Sequence, residues 1–185
     1  MIYLIRHAES VSNAGLATDK VHEIPLTEKG IQQSIDLLER IPEKPDLIVV
    51  SPYLRAQQTA MPLIEKYPDV PVEIWDVQEF TYLDEHRCAG TTPDERLEIR
   101  KEYFAHNDPD FIHGKGAESF NQMLKRVDEM FVKLRKIEPH KFVVIFTHGQ
   151  FIRTVLARKN KVNVTIDDTF TGNIINNTDI YELFL

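Results

Sequence analysis

Short, unbroken apolar runs separated by helical patterns constrain this chain more than any other feature. Four runs, Ile-Tyr-Leu-Ile at 2–5, Leu-Ile-Val-Val at 47–50, Val-Glu-Ile-Trp-Asp-Val at 72–77 and Phe-Val-Val-Ile-Phe at 142–146, carry the residue types of buried strands. Asp-Ile-Tyr-Glu-Leu-Phe-Leu at 179–185 is a fifth candidate. Helical patterns fill the intervals at 28–41, 53–67, 93–106, 118–137 and 149–158. In the first of these, Ile31, Ile35, Leu38 and Ile41 recur at helical spacing and predict its apolar face. In the second, Pro62 predicts a kink or an end. Strands that are apolar throughout need cover on both faces, which crossover helices supply. The expectation is therefore one three-layer α/β/α domain over residues 1–185 with a largely parallel central sheet. Residues 82–117, broken by His-Asn-Asp-Pro-Asp and Gly-Lys-Gly, predict a cap-like insertion over one end of that sheet.

Composition narrows the class of partner. A domain of 185 residues can bury roughly 70% of its unfolded surface, so no disulfide or metal staple is needed. No apolar run approaches the roughly 18 residues that span a bilayer, and the chain starts directly on a strand, so neither a membrane nor a targeting peptide is expected. Cys88 is the single cysteine, which fits a reducing compartment and a cytoplasmic protein. A net charge of −7 argues against sequence-independent nucleic-acid binding. An anionic substrate then needs a locally basic pocket.

In open α/β sheets, ligands bind beyond the carboxyl ends of the strands. There the first run delivers Arg6 and His7, the second Arg55 one turn into Ser-Pro-Tyr-Leu-Arg, the third Glu79, and the fourth His148 followed by Gly149. Two arginines and two histidines form a positive pocket inside an acidic protein, with backbone N–H groups of Gly149 and Gln150 as further anion donors. A phosphoryl group matches that charge better than a single carboxylate. A neutral imidazole can attack phosphorus, the cations can stabilise the equatorial oxygens, and a protonated Glu79 can supply the leaving alkoxide with its proton.

Arg-His-Ala-Glu-Ser at 6–10, Leu-Thr-Glu-Lys-Gly at 26–30, Ser-Pro-Tyr-Leu-Arg-Ala-Gln-Gln-Thr-Ala at 51–60, Gln-Glu-Phe at 78–80 and Thr-His-Gly-Gln-Phe-Ile-Arg at 147–153 resemble, in order, the motifs of the histidine phosphatase superfamily, the phosphoglycerate mutase-like proteins. The resemblance implies that fold, and a phosphohistidine on His7, with Arg6, Arg55 and His148 around the phosphate. It also implies a phosphate contact from Asn13 and proton transfer by Glu79, with Glu85 as the competing carboxyl. No cofactor and no metal are implied. Ser12 stands where mutases often carry tryptophan, Gln-Glu-Phe-Thr-Tyr-Leu replaces their Glu-Arg-x-Tyr-Gly piece, and the chain is shorter, all of which favour the phosphatase branch.

The expectation is a metal-independent phosphomonoesterase acting on a small phosphorylated substrate, with phosphoprotein side chains also admitted. The alternatives are a cofactor-dependent mutase and an inactive phosphate-binding module. His7-Ala8-Glu9 matches the His-x-Glu of zinc deaminases superficially, but one cysteine cannot supply their cysteine pair. Tyr82, His86 and Arg87 are candidate substrate contacts in the insertion, whereas Thr27 predicts a helix N-cap beside Gly30. Oligomeric state has no signature in the sequence.

Overall fold

The structure is a computed structural model and describes residues 1–171 and 174–184. In chain order it comprises β1 (Ile2–Arg6), α1 (Glu28–Asp36), β2 (Leu47–Val50), α2 (Leu54–Lys66), β3 (Val72–Ile74), α3 (Glu85–Cys88), α4 (Leu97–His106), α5 (Phe120–Leu134), β4 (Val143–Thr147), α6 (Gly149–Asn160), α7 (Ile166–Phe170) and β5 (Ile180–Glu182). The strands form one sheet in the order β3-β2-β4-β1-β5, all parallel except β5, which runs antiparallel to β1. This is the expected mixed α/β architecture. Of the fifth apolar run, only its middle is strand, and Leu185 lies outside the described residues.

Alternation along the central strands divides the core. Val143 and Ile145 of β4 pack with Leu4, Val49 and the buried faces of α5 and α6. Val144 and Phe146 face the other way, against Ile5, Ile48, Val50, Ala56, Ala60 and Leu63. Every residue of β2 and β4 is buried, which is why both runs are apolar without interruption.

Three local expectations are corrected. Ile31 and Ile35 are about half exposed (51% and 47%), and α1 instead buries Gly30 and Ser34, followed by Leu37 in the succeeding turn. The cause is Gly30, whose backbone lies so close to Glu9 that an added Cβ would stand 2.0 Å from the Glu9 carbonyl oxygen. That contact turns the small residues inward and the isoleucines out. Helix α2 runs on through Pro62 to Lys66, with no end at the proline. The third run leaves the ladder after Ile74, because Val77 N–H turns back to the Trp75 carbonyl at 2.7 Å while both side chains enter the core.

Register then positions the chemistry. Arg6 pairs with Thr147 in the β1·β4 ladder, so the next residues, His7 and His148, emerge side by side. The His7 amide donates to the Thr147 carbonyl at 2.9 Å, and the two imidazole centroids are 5.0 Å apart. Past β3, the Thr147 hydroxyl donates to the Val77 carbonyl and holds the approach to Glu79 against the end of β4.

Candidate active site

One cavity of about 490 Å³ opens at this edge and is lined by Arg6, His7, Asn13, Arg55, Glu79 and Gly149 among others. Its far wall comes from the segment 82–117, including Tyr82, Glu85, Arg96 and Arg100. His148 is fully buried directly behind His7. The sheet edge and the loops beyond it therefore bring Arg6, His7, Asn13, Arg55, Glu79, His148 and Gly149 together.

The protonation of His7 follows from its neighbours. Nδ1 lies 2.7 Å from the Ala8 carbonyl oxygen, which only accepts, so Nδ1 carries the hydrogen. Nε2 lies 3.1 Å from Arg55 Nε, which only donates, so Nε2 presents its lone pair. Burial, then the charges of Arg55 and Arg6, hold the imidazole well below its usual pKa and keep it neutral. The loop after it is pinned by Ala8 N–H donating to Thr59 Oγ1 at 3.0 Å.

Around this nitrogen the cations are buried too. Desolvation pushes Arg55 down to about 10 and lowers Arg6 as well. Arg55 also donates to the Val21 carbonyl at 2.7 Å and Arg6 to the Ile175 carbonyl at 2.6 Å, while Arg6 Nε is buried with no partner among the described residues. His148, likewise held well below its usual pKa by burial and then by Arg55, keeps Nε2 2.8 Å from Ser51 Oγ. Its buried Nδ1 has no partner among the described residues.

Glu79 receives the Gln150 N–H at 3.1 Å and the Phe151 N–H at 3.2 Å. The expected role of the Gln150 amide is thereby corrected: in this structure the start of α6 holds the Glu79 carboxyl. Burial still raises the Glu79 pKa from its ordinary value, against the opposing pull of Arg55, Arg6 and the Phe80 and Phe151 amides. Glu85 lines the cavity as well, but it opens α3 and lies 4.0 Å from His22 Nδ1, whereas Glu79 feels both pocket arginines. Asn13 accepts from Ser10 Oγ at 3.1 Å and from Asn177 Nδ2 at 3.0 Å through its carbonyl oxygen.

Of the substrate contacts expected from residues 82–117, only Tyr82 reaches the cavity. His86 is exposed, and Arg87 pairs on the surface with Glu102 at 2.6 Å. Sequence reading passed over Ser51, although it sits in a quoted motif, and Asn177, which also donates to the His7 carbonyl at 2.9 Å. Nothing local marks Asn177, since β5 brings it back from the far end of the chain. Among the described residues no group of three or more His, Cys, Asp or Glu is arranged to hold a metal ion, and no helix is long and apolar enough to cross a membrane.

Residues 2–183 match the family model of the histidine phosphatase superfamily, branch 1. A metal-independent phosphoserine phosphatase of Arabidopsis thaliana is 27% identical over 85% of this chain and 67% of its own length. An uncharacterized phosphatase of Bacillus subtilis is 31% identical over 84% of this chain and 75% of its own. The fold superposes on a phosphoserine phosphatase of Entamoeba histolytica, solved with phosphoserine, at a TM-score of 0.73 and 24% identity, covering 97% of this chain and 87% of that one. With strand order, paired histidines and motif order all in agreement, this chain belongs to the histidine phosphatase superfamily, and its relatives support a phosphatase activity.

Proposed function

We propose that the protein hydrolyses small phosphomonoesters without a metal, through a phosphohistidine on His7. The observation that carries this reading is the fixed tautomer of His7, whose Nε2 lone pair faces the Arg55 guanidinium inside the cavity. A phosphoryl group arriving there takes over both contacts: phosphorus meets the lone pair and an equatorial oxygen accepts the Arg55 N–H. Arg6, Asn13, His148 and the Gly149 turn complete the oxygen-binding set, and the cations supply charge stabilisation in a water-poor site.

In the first step the bond from His7 Nε2 to phosphorus forms as the ester P–O bond breaks. The departing alkoxide takes the proton of Glu79. In the second, water attacks phosphorus, the Glu79 carboxylate accepts its proton, and inorganic phosphate leaves Nε2. Nδ1–H keeps its bond to the Ala8 carbonyl throughout.

Relatives named for phosphoserine and for metal independence support a small phosphorylated metabolite as the substrate, turned over without a divalent cation. The single cysteine supports a reducing, cytoplasmic setting. The deciding assay is release of inorganic phosphate from p-nitrophenyl phosphate in the presence of a chelator. Release by wild type and none by His7→Ala is expected. Loss of activity to the chelator with recovery on zinc would overturn the mechanism, and transfer to phosphoglycerate with little free phosphate would make the protein a mutase.

A further inference from the structure

The loop that follows His7 is met from the other end of the chain. Arg6 extends the β1·β5 ladder by one residue: its N–H donates to the Asp179 carbonyl at 3.1 Å, and its carbonyl accepts the Thr178 N–H at 3.0 Å. These bonds seat a turn at 176–179 against the end of β1. The Asp179 N–H closes that turn on the Asn176 carbonyl at 3.2 Å, and the Asp179 carboxylate accepts the Asn176 N–H at 2.6 Å. Within it Thr178 stands at φ 60°, in the left-handed region that a β-branched residue rarely adopts. Such a conformation persists only where the surrounding contacts impose it, and here they turn the Asn177 side chain toward His7.

Main-chain groups settle which way two side-chain amides face. The His7 carbonyl oxygen only accepts, so the Asn177 atom 2.9 Å from it is Nδ2. The second hydrogen of that nitrogen goes to Asn13 Oδ1 at 3.0 Å. The Ser10 N–H only donates, so the Asn13 atom 3.2 Å from it is Oδ1. Ser10 Oγ accepts the Asn13 N–H at 3.3 Å and gives its own hydrogen to the same Oδ1 at 3.1 Å. With three donors on Oδ1, the Nδ2 hydrogens of Asn13 are the end left to serve the cavity that Asn13 lines. An amide turned the other way would offer a phosphate an oxygen in place of a donor.

Resting on the phosphatase reading above, we propose that Asn177 is a positioning residue that ties the His7 main chain to Asn13 and holds the Asn13 amide with its N–H groups toward the phosphate. Asn177 is not part of the cavity wall, so it acts through Asn13. The turn at 176–179 thereby becomes part of the phosphate site.

The test is a double-mutant cycle on Asn13 and Asn177, read as the inhibition constant of inorganic phosphate and as KM and kcat for p-nitrophenyl phosphate. Asn177→Ala is expected to raise the inhibition constant and KM about ten-fold, the worth of one hydrogen bond to a charged oxygen, with a smaller change in kcat. In an Asn13→Ala background the same substitution should cost less than about two-fold, because the amide it orients is gone. Asn177→Asp keeps the shape but sets acceptors against two oxygens, and should weaken phosphate binding at least as much as Asn177→Ala. Equal losses in both backgrounds would make Asn177 a support of the turn alone and overturn the proposal, as would undiminished phosphate binding by Asn177→Asp. A wild type that neither hydrolyses p-nitrophenyl phosphate nor binds inorganic phosphate would overturn the phosphatase reading, and the role of Asn177 with it.

Discussion

The two ends of the cavity are held by different means. At the sheet edge, Arg6 and His7 continue a buried parallel ladder, and Arg55, Glu79 and His148 are locked to them through backbone amides, carbonyls and one another. The far wall rests on side chains: Arg96 knits a loop to carbonyls, and Arg87–Glu102 is an ion pair whose members are 46% and 52% exposed. Reaction geometry has to be fixed within a fraction of an ångström, and the ladder does that. Substrate choice can be altered by changing locally supported turns without disturbing the sheet.

The contrast can be broken at either end, and the sheet edge should be the more costly. Replacing His7 with Ala should lower kcat by on the order of 10⁴-fold or more, measured as phosphate release, because the His7 ring lines the cavity whereas the His148 ring lies behind it with Nε2 on Ser51. A variant retaining a tenth of the activity would move the chemistry elsewhere.

Glu79→Gln should cost about 10²- to 10⁴-fold with alkyl esters and much less with aryl phosphates, whose leaving groups need little protonation. The pH profile carries the sign. His7 is depressed, so its protonation removes activity only on acidification below its usual pKa near 6.5. Glu79 is raised from its ordinary value, so its acid form persists to higher pH, and alkyl-ester activity falls as pH rises through that shifted pKa. In Glu79→Gln this alkaline loss should vanish. An unchanged profile would count against the proton-donor role.

Gly30→Ala tests the support beneath the nucleophile loop. The new methyl would meet the Glu9 carbonyl oxygen at 2.0 Å, and relief of that overlap should lower stability by about 1–3 kcal/mol, read as a fall in Tm. An unchanged Tm would mean that α1 and the loop separate freely. The smallest effect belongs to the far surface: Arg87→Ala should leave Tm and kcat/KM close to wild type, since the pair it breaks is solvated and outside the cavity. A large fall in kcat/KM there would restore Arg87 as a substrate contact.

Most of the sheet and the site was legible because both depend on short-range patterns. Apolar runs mark strands, and the polar residues that follow them must emerge where the strands end. What the sequence concealed depended on tertiary approach. Gly30 overruled the isoleucine spacing of α1 by touching Glu9, and Ile31 and Ile35 face solvent as a result. Val77 reads as strand because its side chain is buried, although the backbone has turned off the ladder just after Trp75, whose N–H still reaches the Val50 carbonyl. His86 and Arg87 lie in the segment 82–117, where a four-residue helix decides direction and no periodicity announces it. Ser51 and Asn177 act through contacts on His148 and His7 that only the assembled sheet brings about.

The central claim is that His7 Nε2 carries the phosphoryl group between ester and water. Rapid quench of wild type with labelled substrate tests it most directly. An acid-labile, alkali-stable phosphoenzyme is expected, its label on the peptide containing His7 and absent from His7→Ala. Full hydrolysis with no label at any quench time, or a label that persists in His7→Ala, would contradict it.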